Sequence, residues 1–355
     1  MDIELLDEGS LQQYHTFLGA SPTGDVLQSA AWARLKAGSG WTPHFFAGKN
    51  GTEISACCLA LERRLPRLPF GILYCPRGPV LDWQDAEGVR QMTDALYGLA
   101  KRRRCILVKV DPAITGDEAR HALLQAGFRP GGSGGFGGVQ PRCVMKLDLS
   151  EGLDAAFNGF KPKWRYNIRL AERKGVTVRE GGREDLDAFY EVLLETARRD
   201  RFLVRGRQYF VQMWDELSKD GYIRLFLTYH ENRLIAGAIL FILGRQAWYV
   251  YGASSNESRN VMPNHLMQWR MMEAAAEAGC TVYDFRGVSC REDGGEDDHL
   301  QGLNRFKAGF NADFVEYVGE YDLPVNSLMY SLWTRGAPKV MSLLKRSKAR
   351  AEAVE

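Results

Sequence analysis

In the run Phe306-Lys307-Ala308-Gly309-Phe310, a lysine stands between large apolar neighbours, and it is the side chain in this 355-residue sequence with the clearest chemical promise. Apolar flanks draw an ammonium out of water, and a fixed cation in a dry site stabilises an oxyanion or a departing alkoxide. The same pattern occurs earlier without the cation, as Leu124-Gln125-Ala126-Gly127-Phe128. A plainer reading is also open. A lysine in the last turn of a helix, two residues before a C′ glycine, is favoured by capping and by the helix dipole.

Asp111 ends the apolar run 105–110 just before Pro112. A carboxylate at a strand's C-terminal end lies where open α/β sheets bind ligands, and it can accept a proton or orient an amine. As an Asp-Pro pair it equally suits a turn. Arg205 and Tyr209, four apart, share a face if helical, offering a guanidinium for a phosphate with a phenol beside it. Lys36, after Trp32 at the end of the first helix, can do the same; each of these also fits a plain surface position. The acidic run from Glu292 to His299 lacks the ligand register of a calcium loop, so it reads as a solvated loop before a helix, and no metal is expected. No Ser/His/Asp or Cys/His nucleophile set is assigned.

These residues need a scaffold, and the length suits two domains of about 150–180 residues. A helical run from Glu87 to Arg104 leads into Cys105-Ile106-Leu107-Val108, and a second from Leu266 to Gly279 leads into Cys280-Thr281-Val282-Tyr283. Hairpin-like pairs surround Gly48-Lys49-Asn50-Gly51 and His230-Glu231-Asn232-Arg233. The sequence therefore predicts a duplicated α/β fold with mixed central sheets, 1–149 and 150–319, the strand near Arg142–Leu149 closing the first copy. The Gly-rich stretch from Gly131 to Gly138 does not follow a strand and open a helix, so it is not read as a phosphate loop. Residues 320–355, with a helical run to about Arg350, are expected to pack back on the first domain. A basic-ended amphipathic helix on a membrane surface is the alternative.

Lys and Arg number 46 against 44 Asp and Glu, which excludes a strongly basic nucleic-acid carrier. Local clusters at 63–67, 101–104, 161–174 and 345–350 permit phosphate contact, although each also fits a solvated face. The acidic start is unlike a signal peptide, and no run reaches the ~18–20 apolar residues of a membrane span. Seven scattered cysteines without a C-x-x-C pair support neither a disulfide framework nor zinc, so a reducing cytoplasm is expected.

Four motifs lie in order along nearly the whole chain: Gln28-Ser29-x-x-Trp32-x-x-x-Lys36, Tyr74-x-Pro76-Arg77-Gly78-Pro79, Arg165-Tyr166-Asn167-Ile168-Arg169-x-Ala171 and Phe306-Lys307-x-Gly309-Phe310. Together they resemble the Fem family of aminoacyl-tRNA-dependent peptidyltransferases, which build peptidoglycan cross-bridges. The resemblance implies two tandem GNAT-like domains. It implies an aminoacyltransferase that moves an amino acid from aminoacyl-tRNA to the side-chain amine of the stem peptide, on UDP-MurNAc-pentapeptide or lipid II. No cofactor is implied beyond the tRNA co-substrate. The setting implied is a cytoplasmic monomer with possible peripheral contact at the inner membrane face.

By motif position the resemblance also implies roles. Lys307 and the Phe306 backbone stand beside the aminoacyl ester, and Asp111 near the acceptor amine. Lys36, Arg205, Tyr209 and Tyr251 hold the nucleotide diphosphate and muramyl part, with Arg207 and Tyr249 as alternative counterparts. Between Trp214-Asp215-Glu216-Leu217 and Tyr222-Ile223-Arg224 there is no room for a helical arm, so the chain resembles the arm-less FemX type. Rival readings are a GNAT-type N-acyltransferase using acyl-CoA, whose pyrophosphate loop is not found, and tRNA-dependent aminoacylation of a lipid or protein. A non-catalytic precursor- or RNA-binding protein is the third.

Overall fold

The computed structural model describes residues 1–131, 139–200, 202–290 and 298–334. In chain order its strands begin with β1 (Asp2–Leu6), β2 (Thr42–Asn50), β3 (Glu53–Arg64), β4 (Gly71–Cys75), β5 (Cys105–Val110), β6 (Arg129–Pro130) and β7 (Cys143–Asp148). They continue with β8 (Thr177–Gly181), β9 (Ile223–His230), β10 (Arg233–Leu243), β11 (Gln246–Ser254), β12 (Val282–Gly287), β13 (Asp313–Glu316) and β14 (Tyr321–Pro324). They form two seven-stranded sheets, in the orders β1-β2-β3-β4-β5-β14-β6 and β13-β7-β12-β11-β10-β9-β8.

Both sheets are mixed, as the repeat predicts. β4 and β5 run parallel across helix Ala86–Arg102, and β11 and β12 run parallel across helix Pro263–Glu277. Hairpins supply the antiparallel part. The two-residue turn between β9 and β10 places Glu231 and Asn232 at φ 49° and 61°, the left-handed pair whose twist matches the flanking strands.

In each sheet a strand from outside the repeat fills the slot beside the crossover strand. β14 lies between β5 and β6, and β7 lies between β12 and β13. The strand expected to close the first copy is thus part of the second sheet. Its Met145 and Leu147 are buried in that sheet's own core, and the equivalent slot of the first sheet is taken by β14. The described end of the chain returns to the first sheet in this way, followed by a helical segment at 327–334. Met341, Leu343, Leu344 and Arg350 lie outside the described residues, as do 132–138 of the Gly-rich stretch and 291–297 of the acidic run.

Between the sheets runs one apolar layer shared by both halves. Tyr14, Trp32 and Leu35 of the first half are buried with Phe189, Phe210, Met213 and Phe241 of the second. Trp32 meets Phe241 edge to face with centroids 6.3 Å apart. Each such side chain contributes roughly 1.5–3 kcal/mol by leaving water, so the halves are fused rather than tethered. Backbone contact is close as well: a Cβ on Gly244 would stand 1.8 Å from the Gly19 carbonyl oxygen. Leu217 passes to Ile223 through one short turn, Ser218–Asp220, so no helical arm intervenes.

The cysteine expectation is overturned at one pair. Cys143 and Cys290, 147 residues apart, form a disulfide. The pairing of Val144 with Gly287 brings them together, a tertiary event that cysteine spacing does not encode. The other five cysteines are free and buried. Among the described residues no helix is long and apolar enough to cross a membrane.

Candidate active site

Lys307 lies in the last turn of helix Asp298–Ala308, yet it does not cap it. The side chain is 3% exposed, and its Nζ donates to the carbonyls of Gly287 at 2.7 Å and Arg286 at 3.3 Å. An ammonium has three N–H groups, and the third meets no partner among the described residues. Burial pushes this ammonium down to about 7, while the Asp284 carboxyl pulls the other way. A strand irregularity presents the two carbonyls. Arg286 stands at φ 60°, and the register of β12 against β7 jumps between Asp284 and Gly287. Such bulges re-aim a strand beside functional sites.

The neighbouring residues are fixed from the helix Pro162–Arg173. The Trp164 indole Nε1 donates to the Phe306 carbonyl at 2.9 Å, and the Lys161 amide donates to the Gly309 carbonyl at 3.0 Å. A Cβ on Gly309 would stand 2.0 Å from Trp164 Cε2. Gly309 therefore admits an indole and is not a C′ residue; the left-handed position after this helix is Asn311, φ 57°. In the first copy Gly127 does take the left-handed conformation, φ 88°, and Gln125 is exposed. The sequence echo conceals two different structural uses.

Asp111 is 2% exposed and bound inward. Its carboxylate accepts from Tyr74 Oη at 2.7 Å and from the Arg77 amide at 2.6 Å. Burial raises it to about 6 against the pull of the Arg77 guanidinium. That guanidinium lies 4.8 Å from the Tyr317 ring centre, and Lys146 lies 5.4 Å from the same ring. Asp284, raised by burial, feels the charges of Arg286, Lys146 and Arg77 in turn. Asp111 and Lys307 thus stand at the two ends of one buried charged chain. Arg286 also approaches Asp25 of the first half to 3.6 Å. A cleft of about 840 Å³ between the halves, lined by Thr23, Trp83 and Ile114, reaches Lys146 and Tyr317.

A second group forms at the helix contact between the halves. Lys36 Nζ donates to Tyr209 Oη at 3.3 Å and lies 4.4 Å from the Trp32 ring centre. Arg205 precedes helix Arg207–Leu217 rather than lying in it, but its guanidinium still stacks 4.6 Å from the Tyr209 ring centre. Tyr251 packs against Arg205 and Tyr209. Burial lowers Lys36 to about 8, helped by the charges of Arg205 and Arg63. Among the described residues no carboxylate pairs with Lys36, Arg205 or Arg63, and the chemistry of such an unneutralised group suits an anion.

The alternatives fall elsewhere. Arg207 is exposed and clamped on Asp187 at 2.5 and 2.6 Å. Tyr249 packs on the far core, because a bulge between Ile239 and Leu240 shifts the β11 pairing and separates it from Tyr251. Arg63 stacks on Trp41, Trp41 on Tyr74, and Tyr74 reaches Asp111, so the anion site adjoins the carboxylate.

Sequence reasoning assigned no role to Tyr74, Arg77, Lys146, Trp164, Asp284 or Arg286. Tyr74 and Arg77 stood inside a quoted motif, whereas Asp284 lies within β12 and, counted from Cys280, takes the place of Lys109 and not of Asp111. Lys146 carried no signal, since its partners come from separate segments. Among the described residues no His, Cys, Asp and Glu group is arranged to hold a metal ion.

The profile of the FemAB family matches residues 10–234 and 222–335. The chain belongs to the FemAB family. It is similar to the lipid II:glycine glycyltransferase of Staphylococcus aureus strain MRSA252, at 29% identity over 93% of this chain and 95% of that one. The same enzyme from strain USA300 matches at the same identity and coverage. Among solved structures, the crystal structure of FemX superposes with a TM-score of 0.86 at 28% identity, over 93% of this chain and all of that one. A tandem GNAT protein from the clavulanic acid biosynthesis pathway superposes at 0.54 with 12% identity, over 92% of this chain and 99% of that one. This FemAB chain therefore has the tandem GNAT-like fold that the family resemblance implied, in agreement with the duplicated α/β fold read from its repeat.

Proposed function

We propose that this chain transfers an aminoacyl group from a charged tRNA to the side-chain amine of a peptidoglycan stem peptide, on lipid II or UDP-MurNAc-pentapeptide, to start an interpeptide bridge. The observation that carries the reading is Lys307, a buried ammonium with two N–H groups committed to backbone carbonyls and one uncommitted. The acceptor amine attacks the ester carbonyl and forms the new C–N bond, leaving a tetrahedral oxyanion. The uncommitted N–H stabilises that charge, then passes its proton to the ribose 3′ oxygen as the C–O bond breaks. Asp111 takes the proton that the amine sheds, its carboxylate kept in place by Tyr74 and the Arg77 amide. Solvent returns a proton to Lys307 and takes the one left on Asp111. Lys36 and Arg205 hold the precursor's diphosphate, with Tyr209 and Tyr251 packed beside it.

The ester supplies the driving force, so the reaction uses no cofactor beyond the aminoacyl-tRNA. The chain works as a monomer on the cytoplasmic side, where the exposed Leu328 and Leu332 suit peripheral contact with the membrane that carries lipid II. The test is a transfer assay with radiolabelled aminoacyl-tRNAs against both precursors. Label appearing on the stem peptide supports the reading. Acyl transfer from acyl-CoA with none from any aminoacyl-tRNA overturns it.

A further inference from the structure

Residues 161–174 carry six Lys and Arg against one Glu. In helix Pro162–Arg173, Asn167, Ile168 and Ala171 turn inward, which leaves Arg165, Arg169 and Arg173 in a row at four-residue spacing on the outer side. Five other arginines of this surface, Arg34, Arg90, Arg179, Arg183 and Arg207, each hold a carboxylate. This row is different. Arg165 donates to the Phe160 carbonyl, Arg169 lies over the Phe157 ring and Arg173 over the Tyr166 ring. Lys161, Lys163 and Lys174 are exposed, and among the described residues none of the six cations has a carboxylate partner. The one acid, Glu172, is engaged by Arg270 from the neighbouring helix.

The row begins at the reactive segment. Its first turn supplies the Trp164 indole and the Lys161 amide that hold Phe306 and Gly309, beside Lys307. Tyr166, 55% exposed, adds an aromatic surface on the same side. We infer that this face of helix Pro162–Arg173 is a track for the phosphate backbone of an RNA, leading its 3′ end to Lys307. The inference rests on the tRNA-borne donor proposed above. Unneutralised cations interleaved with an exposed aromatic match a nucleic-acid backbone, whereas a membrane face calls for exposed aliphatic side chains that this row lacks.

The test uses the full chain and an uncharged RNA hairpin with a single-stranded 3′ end, followed by fluorescence anisotropy over a salt series. Replacing Lys163, Arg169 and Arg173 together by Gln is expected to weaken binding at least about tenfold at low salt. It should also flatten the slope of log K against log salt by about 2–3. Should the triple variant fail to fold, Lys163→Gln and Arg173→Gln singly each flatten the slope by about 1, while Arg169→Lys keeps it. In transfer, KM for the tRNA donor rises and kcat holds. Unchanged hairpin binding by the folded triple variant overturns the track and leaves the donor reading standing. Failure of the unaltered protein to bind the hairpin overturns both. Loss of binding to anionic vesicles with RNA binding retained assigns the face to a membrane and also overturns the track.

Discussion

Lys307 donates at 2.7 Å to the carbonyl of Gly287, a residue of the neighbouring strand, and not to the last carbonyls of its own helix. The lysine is thereby built into the junction of helix Asp298–Ala308 with β12. Lys307→Met is expected to lower the transfer rate roughly 10²–10³-fold, the usual cost of a preorganised oxyanion donor, with precursor binding preserved. Single-turnover transfer and a separate binding titration check both halves, and a methionine variant with full transfer would remove Lys307 from the chemistry.

The pH profile follows from the buried groups. An ammonium held down to about 7 loses its proton, and its oxyanion role, as pH rises through that value. A carboxyl raised to about 6 becomes a base above it. kcat/KM is therefore expected to peak between these limbs. Asp284→Asn removes the negative neighbour that favours the Lys307 charge, so the alkaline limb should move to lower pH; a limb that stays put argues against Asp284 as the countercharge.

Stability carries the same signatures. From about 7 up to the ordinary lysine range the unfolded chain binds the extra proton, so the Lys307 penalty is full at low pH and relieved as pH rises. For Asp111 the folded state holds the proton between the ordinary carboxyl range and about 6, so its contribution declines as pH rises through that window. Denaturant melts of Lys307→Met and Asp111→Asn across pH should each lose one of these opposite slopes.

At the anion site the expected effect is on binding. Lys36→Ala or Arg205→Ala removes a charged hydrogen-bond donor worth about 1.5–3 kcal/mol, which raises KM for the precursor roughly 10–100-fold and spares kcat. Because burial and two neighbouring cations lower Lys36 to about 8, precursor affinity should weaken above that pH. Lys36→Arg should remove the dependence, since a guanidinium stays charged. A titration of precursor binding against pH decides it.

Much of this was legible in the sequence. The alternation of apolar residues and the hairpin turns carried the repeat, short motifs contained Lys36 and Lys307, and a strand end singled out Asp111 as a candidate. What stayed hidden depends on pairing between distant segments. β7 belongs to the second sheet because β12 and β13 flank it, and the Cys143–Cys290 disulfide follows from that placement. Asp284 and Lys146 matter because burial removes the water that would screen them, and burial is a property of the assembled core. Removing the disulfide as Cys143→Ser with Cys290→Ser is expected to cost about 2–4 kcal/mol in denaturant melts; equal stability would show that the bridge constrains nothing.

The two glycines of the repeated Ala-Gly-Phe element separate structure from chemistry. Gly127 is left-handed at φ 88°, with a neighbouring side-chain atom no nearer than 3.4 Å to an added Cβ, so Gly127→Ala strains the backbone and costs about 1 kcal/mol without touching the Lys307 segment. Gly309 has ordinary backbone angles, but an added methyl would drive into the Trp164 indole at 2.0 Å. The indole must move, releasing the Phe306 carbonyl and displacing the lysine beside it. Gly309→Ala is therefore expected to destabilise by about 1–3 kcal/mol and to lower kcat as well, with Trp fluorescence shifted. Gly127→Ala should lower the melting temperature alone. If both variants lose stability and neither loses kcat, Trp164 is only a packing residue, and the Phe306–Lys307 segment does not depend on it for position.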